Sequence, residues 1–499
     1  MRKSVRSNII RNIFRLFFRL FILGILVIAG IFTIKTIRFP SQQVSIEAVE
    51  KTPIADATLQ RLAQAVQLPT VSSESKVDTT NYEKLDSFIS KNYPLLDSLL
   101  QKEKINNFSY IYKWQGKKAN LNPVLLAAHL DVVPVEESSL DKWQHPPFSG
   151  KIVDDAIWGR GTMDDKSSVF GILEAVSMLL AADYTPERTI YLAFGHDEEV
   201  SGVNGAQAIA RELQRQNIEF EFVLDEGSLI VDNALAGLSQ PLALIGIAEK
   251  GYTTLTLTAN LEEGGHSSMP PAETAVGVLS KAIYTLQENP FPAKIDGAVK
   301  NMLEHIGPEM GTFNKVLFAN LWLTEGLIIR EFQKSPQSNA LIRTTVAPTM
   351  LRGGVKDNVL PTRASAKINF RIIPGETVET VADYVRNTIA DDRVIVAPAD
   401  EKMSQNPSAI SGTESFGFQI IQTTIQQVFP QAVVAPSLVV AATDSRHYAA
   451  LSRNIYRFQP IQIEKSETKR FHGINERLEV ETYKNMIRFY RELILNASR

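Results

Sequence analysis

The chain has 499 residues, 44% hydrophobic and 21% charged, with a net charge of −3 at pH 7. That length exceeds one compact core, so at least two domains are expected, and the balance excludes wholesale disorder and gives no general case for nucleic-acid binding. Cysteine is absent, which excludes disulfides, thiolate metal sites and a cysteine nucleophile and leaves any tightly held metal to His, Asp and Glu.

The first predicted element is a leader. Residues 1–40 carry eight basic side chains and no acid, so the remainder stands at −11, eight below the whole chain. Residues 20–34 are apolar apart from Gly24, Gly30 and Thr33. Extended back past Arg19 to Leu16, the run approaches the ~20 residues that span a bilayer. Basic residues ahead of it place the N-terminus in the cytosol and the body across the membrane, in a periplasmic, extracellular or lumenal space. Three readings stand: an uncleaved signal anchor, a cleaved signal peptide that would leave the body secreted, and a buried core helix. No clear small-x-small cleavage site is visible. Residues 40–52 read as a short polar linker.

From residue 54 helix and strand patterns alternate. Helices are predicted at 55–66, at 82–99 with a break at Pro94, at 167–180 and at 207–216. Strands are predicted at 108–114, 124–128, 189–194 and 222–224. This alternation favours an α/β layered fold with a mostly parallel sheet. The pattern changes near 248. Strands at 252–259, 339–346, 364–372 and 393–397, with helices at 273–287 and 378–389, give the ferredoxin-like order strand–helix–strand–strand–helix–strand, interrupted by a long insertion at 290–337. A helix at 415–429, a strand at 438–440 and a helix at 480–493 close the chain. The domain reading is a leader over 1–40, catalytic parts at 41–247 and 401–499, and an inserted lid at 248–400.

The chemically suggestive residues fall at strand ends, where open α/β sheets place ligand sites. His129-Leu130-Asp131 follows the strand at 124–128, and a ligating imidazole needs a carboxylate to orient its second nitrogen. Trp158-Gly159-Arg160-Gly161-Thr162-Met163-Asp164-Asp165 brings two acids to the start of a helix, either as helix caps or turned inward. His196-Asp197-Glu198-Glu199 follows a buried strand, and three consecutive acids there call for a cation if they are ordered. Asp225-Glu226-Gly227 closes another strand. Phe471-His472-Gly473-Ile474-Asn475-Glu476 lies near the C-terminus.

In this order and at these positions, the motifs resemble the aminoacylase and carboxypeptidase family of co-catalytic zinc hydrolases. The similarity is greatest to its carboxypeptidase S (Gly-Xaa carboxypeptidase) and N-acyl-amino-acid hydrolase branch, and it covers nearly all of residues 55–499. The resemblance implies two zinc ions per subunit, with cobalt or manganese as substitutes. It assigns His129 and Asp225 to one metal, Glu199 and His472 to the other, and Asp164 to both. Glu198 would be the general base, and Asp131 would orient His129. In the lid, Gly264-Gly265-His266-Ser267-Ser268 implies His266 as an oxyanion donor, often across a dimer interface. Asn358 would contact the substrate amide. Arg371 would hold a substrate carboxylate or else form an interdomain salt bridge, and Arg446 in Thr443-Asp444-Ser445-Arg446-His447 is a second carboxylate candidate. Ala441-Ala442 stand where relatives often have glycines, which leaves the pocket's detail open.

The implied reaction is hydrolysis of an amide next to a free carboxylate, in a peptide or an N-acyl amino acid, with reverse condensation of fatty acid and amino acid also open. An aminopeptidase, which needs no carboxylate clamp, and an inactive membrane-anchored binding protein are the alternatives. Phe313, Leu317, Phe318, Leu321, Trp322, Leu323 and Leu327 in the insertion either pack a core or line an acyl pocket. A homodimer through the lid and a monomer both remain open.

Overall fold

Short runs of apolar and β-branched residues pair into a ten-stranded mixed sheet. The structure, a computed structural model, describes residues 2–73, 79–400 and 403–498. At the middle of the sheet, strand Val124–His129 lies between Ile190–Gly195 and Phe222–Asp225, parallel to both. Every residue of these three strands is buried, which is why they read as continuous apolar runs without alternation. Their carboxyl ends lie side by side, so the residues that follow them converge. Antiparallel strands Gln101–Ile105 and Ser109–Trp114 extend one side of the sheet.

Helix Lys166–Ala181 runs from the Asp164 loop across the sheet and packs on the C-terminal helix Val480–Ala497. Phe170, Ile172, Leu173 and Val176 are fully enclosed, and truncating Phe170 to alanine would cost about 3–5 kcal/mol. A separate three-stranded sheet joins Lys151–Val153, Ala156–Trp158 and Arg477–Glu479. It ties the loop that carries Asp164 to the loop that carries His472.

A second, four-stranded antiparallel sheet has its own core. Its order is Thr345–Gly353, Arg363–Ile372, Gly251–Asn260, Val394–Pro398, with helices Ala275–Glu288 and Val378–Ile389 packed on it. In chain order this is β-α-β-β-α-β, as the pattern predicts. Buried and half-exposed residues alternate along Gly251–Asn260 and Arg363–Ile372, the signature of a sheet with one covered face.

Three expectations need correction. Residues 339–342 are not strand: Pro336–Ile342 is a helix, capped by the Ser335 hydroxyl with proline in its first turn, and the strand begins at Thr345. Most of the insertion packs away from the second sheet's core, although Phe291 joins that core. Ile295, Val299, Leu303, Ile306 and Ile328, with Ile342 after them, join the larger core instead, and helix Gly297–Ile306 packs on strand Val433–Val439. Residues 40–52 are an ordered strap rather than a bare linker. Gln43 exchanges side-chain hydrogen bonds with the Val434 backbone at 2.8 and 2.9 Å, and the Val49 amide donates to Gln427 O.

The leader forms one helix, Arg2–Ile37, whose span Arg11–Ile37 is long and apolar enough to cross a membrane and is not buried by the body.

Candidate metal centre

His129 ends its strand with the side chain almost wholly buried. Its Nε2 lies 2.9 Å from Asp164 Oδ1, and the other Asp164 oxygen, Oδ2, lies 3.0 Å from His472 Nε2. One carboxylate therefore stands between two imidazoles and offers an oxygen to each. Glu199 Oε2 is 3.3 Å from the same His472 nitrogen. His129, Asp164, Glu199 and His472, which the sequence places 35 to 343 positions apart in pairs, meet at one point.

Asp131 shows how the site is held. Fully buried, its carboxylate accepts the Glu198 amide at 3.1 Å, the Glu199 amide at 3.0 Å and the Ser72 hydroxyl at 2.7 Å, and it lies 3.3 Å from His129 Nδ1. The residue expected only to orient His129 also fixes the turn that presents both glutamates.

Glu476, in the same motif as His472 but given no role there, plays the matching part on the other side. Its Oε1 accepts the Gly161 and Met163 amides at 2.9 and 2.8 Å, and its Oε2 pairs with Arg160. Arg160 in turn donates to the carbonyls of His472 and Gly473. The Asp164 loop and the His472 loop are thereby locked together. Gly161 sits at φ 89°, a left-handed conformation that glycine adopts without strain.

A further acid approaches the centre beside Asp225. Glu226 Oε1 lies 3.9 Å from His129 Nε2, and His129, Asp165 and Glu226 offer ligand atoms all within 4.8 Å of one another. Asp225 belongs to no such group among the described residues. It is the last residue of its strand and is buried, with Oδ2 lacking a hydrogen-bond partner among the described residues; burial raises its carboxyl to about 6 against the opposing charge of His129. Asp165 is also drawn in: it accepts Gln459 Nε2 at 2.7 Å and the His129 amide at 3.3 Å, and it makes no side-chain cap to the helix it precedes.

The electrostatics fit bound cations. Burial pushes the Glu198 and Glu226 carboxyls well above the ordinary range, and Asp165 up to about 8. Hydrogen bonds from His129 and His472 outweigh burial at Asp164 and hold it below the usual carboxylate range. The hydrogen bond to Asp164, followed by that to Glu199, raises His472 to about 10. Glu199 Oε1 is buried without a hydrogen-bond partner. So many enclosed acids around two imidazoles exceed the charge the protein itself supplies, and divalent cations would balance it.

The remaining candidates stand apart from this cluster. His266 is exposed on the short ribbon Gly265–His266, paired with Val359–Leu360, and its Nδ1 meets Ser268 Oγ at 2.8 Å. Asn358 precedes that ribbon's second strand and has a buried, unpartnered Oδ1. Arg371 stacks 4.9 Å over the Tyr252 ring and has no acidic partner among the described residues, so the interdomain salt bridge is not seen. Arg446 donates to Ser201 O at 2.9 Å, and its charge is felt at Arg371.

Known proteins bear the same pattern. The profile of peptidase family M20/M25/M40 matches residues 125–496. "Probable carboxypeptidase S-like 2" of Dictyostelium discoideum is 42% identical over 491 residues, covering 96% of this chain and 93% of that protein. The N-fatty-acyl-amino acid synthase/hydrolase of Xenopus tropicalis is 40% identical, covering 95% and 94%. Among solved structures, the M20 family metallo-carboxypeptidase Sso-CP2 of Sulfolobus solfataricus superposes with a TM-score of 0.63 at 18% identity, over 88% of this chain and 99% of that one.

Proposed function

This chain belongs to peptidase family M20/M25/M40, and from that premise we propose that it is a dinuclear zinc hydrolase cleaving an amide bond adjacent to a free carboxylate. The observation that carries the reading is Asp164, whose two oxygens lie 2.9 and 3.0 Å from the imidazoles of His129 and His472. His129 and Asp225 would hold one cation, Glu199 and His472 the other, and Asp164 both, with Glu226 a further carboxylate beside His129. Mixed imidazole and carboxylate donors suit zinc, with cobalt or manganese as substitutes.

Bound cations would polarise the amide carbonyl and acidify the attacking water. Glu198, its backbone fixed by Asp131, takes the proton from that water and returns it to the leaving nitrogen. Arg371 and Arg446 clamp the substrate carboxylate, and Asn358 meets the amide. That Arg371 lacks an acidic partner and Asn358 Oδ1 lacks any hydrogen-bond partner supports both assignments. His266, exposed and tied only to its own loop by Ser268, serves as oxyanion donor, reaching the site of a second copy.

The small sheet is read as a ferredoxin-like lid and dimerisation unit within 248–400, set into a catalytic unit formed by 41–247 and 401–499. Its free edge, Thr345–Gly353 with exposed Met350 and Leu351, is the face for a second copy. The leader is read as a retained signal anchor, with the body outside the cytosol. The contact of Phe39 with Gly307, in the body's insertion, supports retention.

A second reading, hydrolysis or reverse synthesis of N-fatty-acyl amino acids, is favoured by the relatives of that name, which match over nine-tenths of the chain. Turnover by the purified protein, with Glu198→Ala beside it, on a panel of dipeptides and N-acyl amino acids tests both. Preference within the panel decides between them. No turnover on any member, with zinc or cobalt supplied, would overturn the hydrolase reading.

A further inference from the structure

The insertion carries an apolar face that none of the described residues covers. In helix Leu321–Phe332, Thr324 and Ile328 are buried, while Trp322, Leu323 and Leu327 are 50%, 54% and 57% exposed. Phe313, in the preceding helix Thr312–Ala319, is 75% exposed. These residues neither pack a core nor line a closed pocket. Leu317, Phe318 and Leu321 from the same stretch do pack against the main core, so the segment is amphipathic and one side lacks a partner.

The leader helix fixes what meets that side. It leaves its apolar run in contact with these same helices. Asn320 Nδ2 lies 3.4 Å from the Phe32 carbonyl and 3.2 Å from the Thr36 hydroxyl. Lys35 Nζ lies 5.7 Å over the Trp322 ring, and Phe39 packs against Gly307. Phe32 is inside the apolar run and Lys35 is its first charge on this side. Three residues of helix separate them, about 4.5 Å of rise. Elements that touch both must sit at the level where the run leaves hydrocarbon. Between leader and insertion lies a cavity of about 660 Å³, with Lys35, Arg38, Lys300, Glu304 and Glu325 on its polar side and Ile34, Phe318 and Trp322 on its apolar side.

We propose that the insertion helices dock on the phospholipid bilayer surface through which the leader emerges. Phe313 and Trp322 are the aromatic anchors at headgroup level, Leu323 and Leu327 enter the acyl boundary, and Lys35 and Arg38, at the end of the leader, meet lipid phosphates, while Lys300 pairs with Glu304. The body is then held flat against the membrane, where long-chain N-acyl amino acids partition. The inference rests on the reading of the leader as a retained anchor.

The absence of cysteine makes the test direct. Phe313→Cys and Leu327→Cys are spin-labelled in the full chain, reconstituted in phosphatidylcholine vesicles. Collision with oxygen is compared with collision with a water-soluble nickel chelate. Leu23→Cys, within the leader, is the bilayer reference, and Leu99→Cys, 60% exposed on the catalytic body, is the aqueous one. The expected oxygen-to-nickel ratio at 313 and 327 is several-fold above that at 99 and approaches that at 23. Ratios at 313 and 327 equal to that at 99, with 23 still in lipid, would overturn the docking and leave the anchor standing. Labels at 313 and 327 shielded from both agents would mean a protein partner or second copy, and would also overturn it. A water-like ratio at 23 would overturn docking and anchor together.

Discussion

The metal centre and the lid hold their polar groups in opposite ways. At the centre, Asp131 takes two backbone amides and a hydroxyl and lies beside His129, and Glu476 takes two amides and pairs with Arg160. In the second sheet's body, among the described residues, the Arg371 guanidinium stacks on Tyr252 without an acidic partner, Asn358 Oδ1 has no hydrogen-bond partner, and the His266 ring bonds only Ser268. The first region is preorganised by its own hydrogen bonds. The second leaves donors and acceptors open among the described residues. On the proposed function, chemistry would reside at the rigid sheet ends and recognition in the second body.

The largest effect expected from breaking this comparison is at Glu198. Glu198→Gln should lower kcat/KM by roughly a hundred- to ten-thousand-fold, with metal content and thermal unfolding unchanged. Loss of metal would make it a ligand instead. The pH profile carries a sign: the base acts ionised, so activity falls as pH drops through its pKa. Burial raises that carboxyl and bound cations oppose the rise, so steady-state rates across pH locate the acidic limb.

His266→Ala should cost roughly a hundred- to a thousand-fold in kcat, as removal of an oxyanion donor does, with metal content intact. Mixing it with Glu198→Gln should restore part of the activity if His266 acts on a second copy.

The neighbouring pair Asp225 and Glu226 sharpens the centre's boundary. Asp225→Asn should weaken one metal by more than the roughly 10- to 100-fold that even supporting partners cost, and Glu226→Ala should weaken it by less. Titration with a competing chelator separates the two.

Smallest is the clamp. A charged hydrogen bond is worth about 1.5–3 kcal/mol, so Arg371→Ala should reduce kcat/KM by roughly ten- to a hundredfold, mainly through KM. Equal loss on a substrate lacking the free carboxylate would argue for an aminopeptidase-like site.

How much the sequence disclosed follows from what local pattern encodes. Each of His129, Asp164, Glu199 and His472 lies in a motif set off by glycine or by an apolar strand, and the structure joins all of them. Glu226 also lies near His129, and no spacing of two adjacent acids records that. Ser335 and Pro336 mark a helix start, yet the β-branched run after them reads as strand. The apolar run of the insertion does not record which core buries it. Glu476 acts through loops some 315 positions away, beyond any local signal.

The most direct test of the central claim is metal stoichiometry in the wild-type protein and in Asp164→Asn, by elemental analysis of the purified chain. The account predicts two divalent ions per chain in the first and, in the second, loss of at least one together with activity. One ion or none in the wild type after zinc is supplied, or two retained in Asp164→Asn, would contradict a centre built around Asp164.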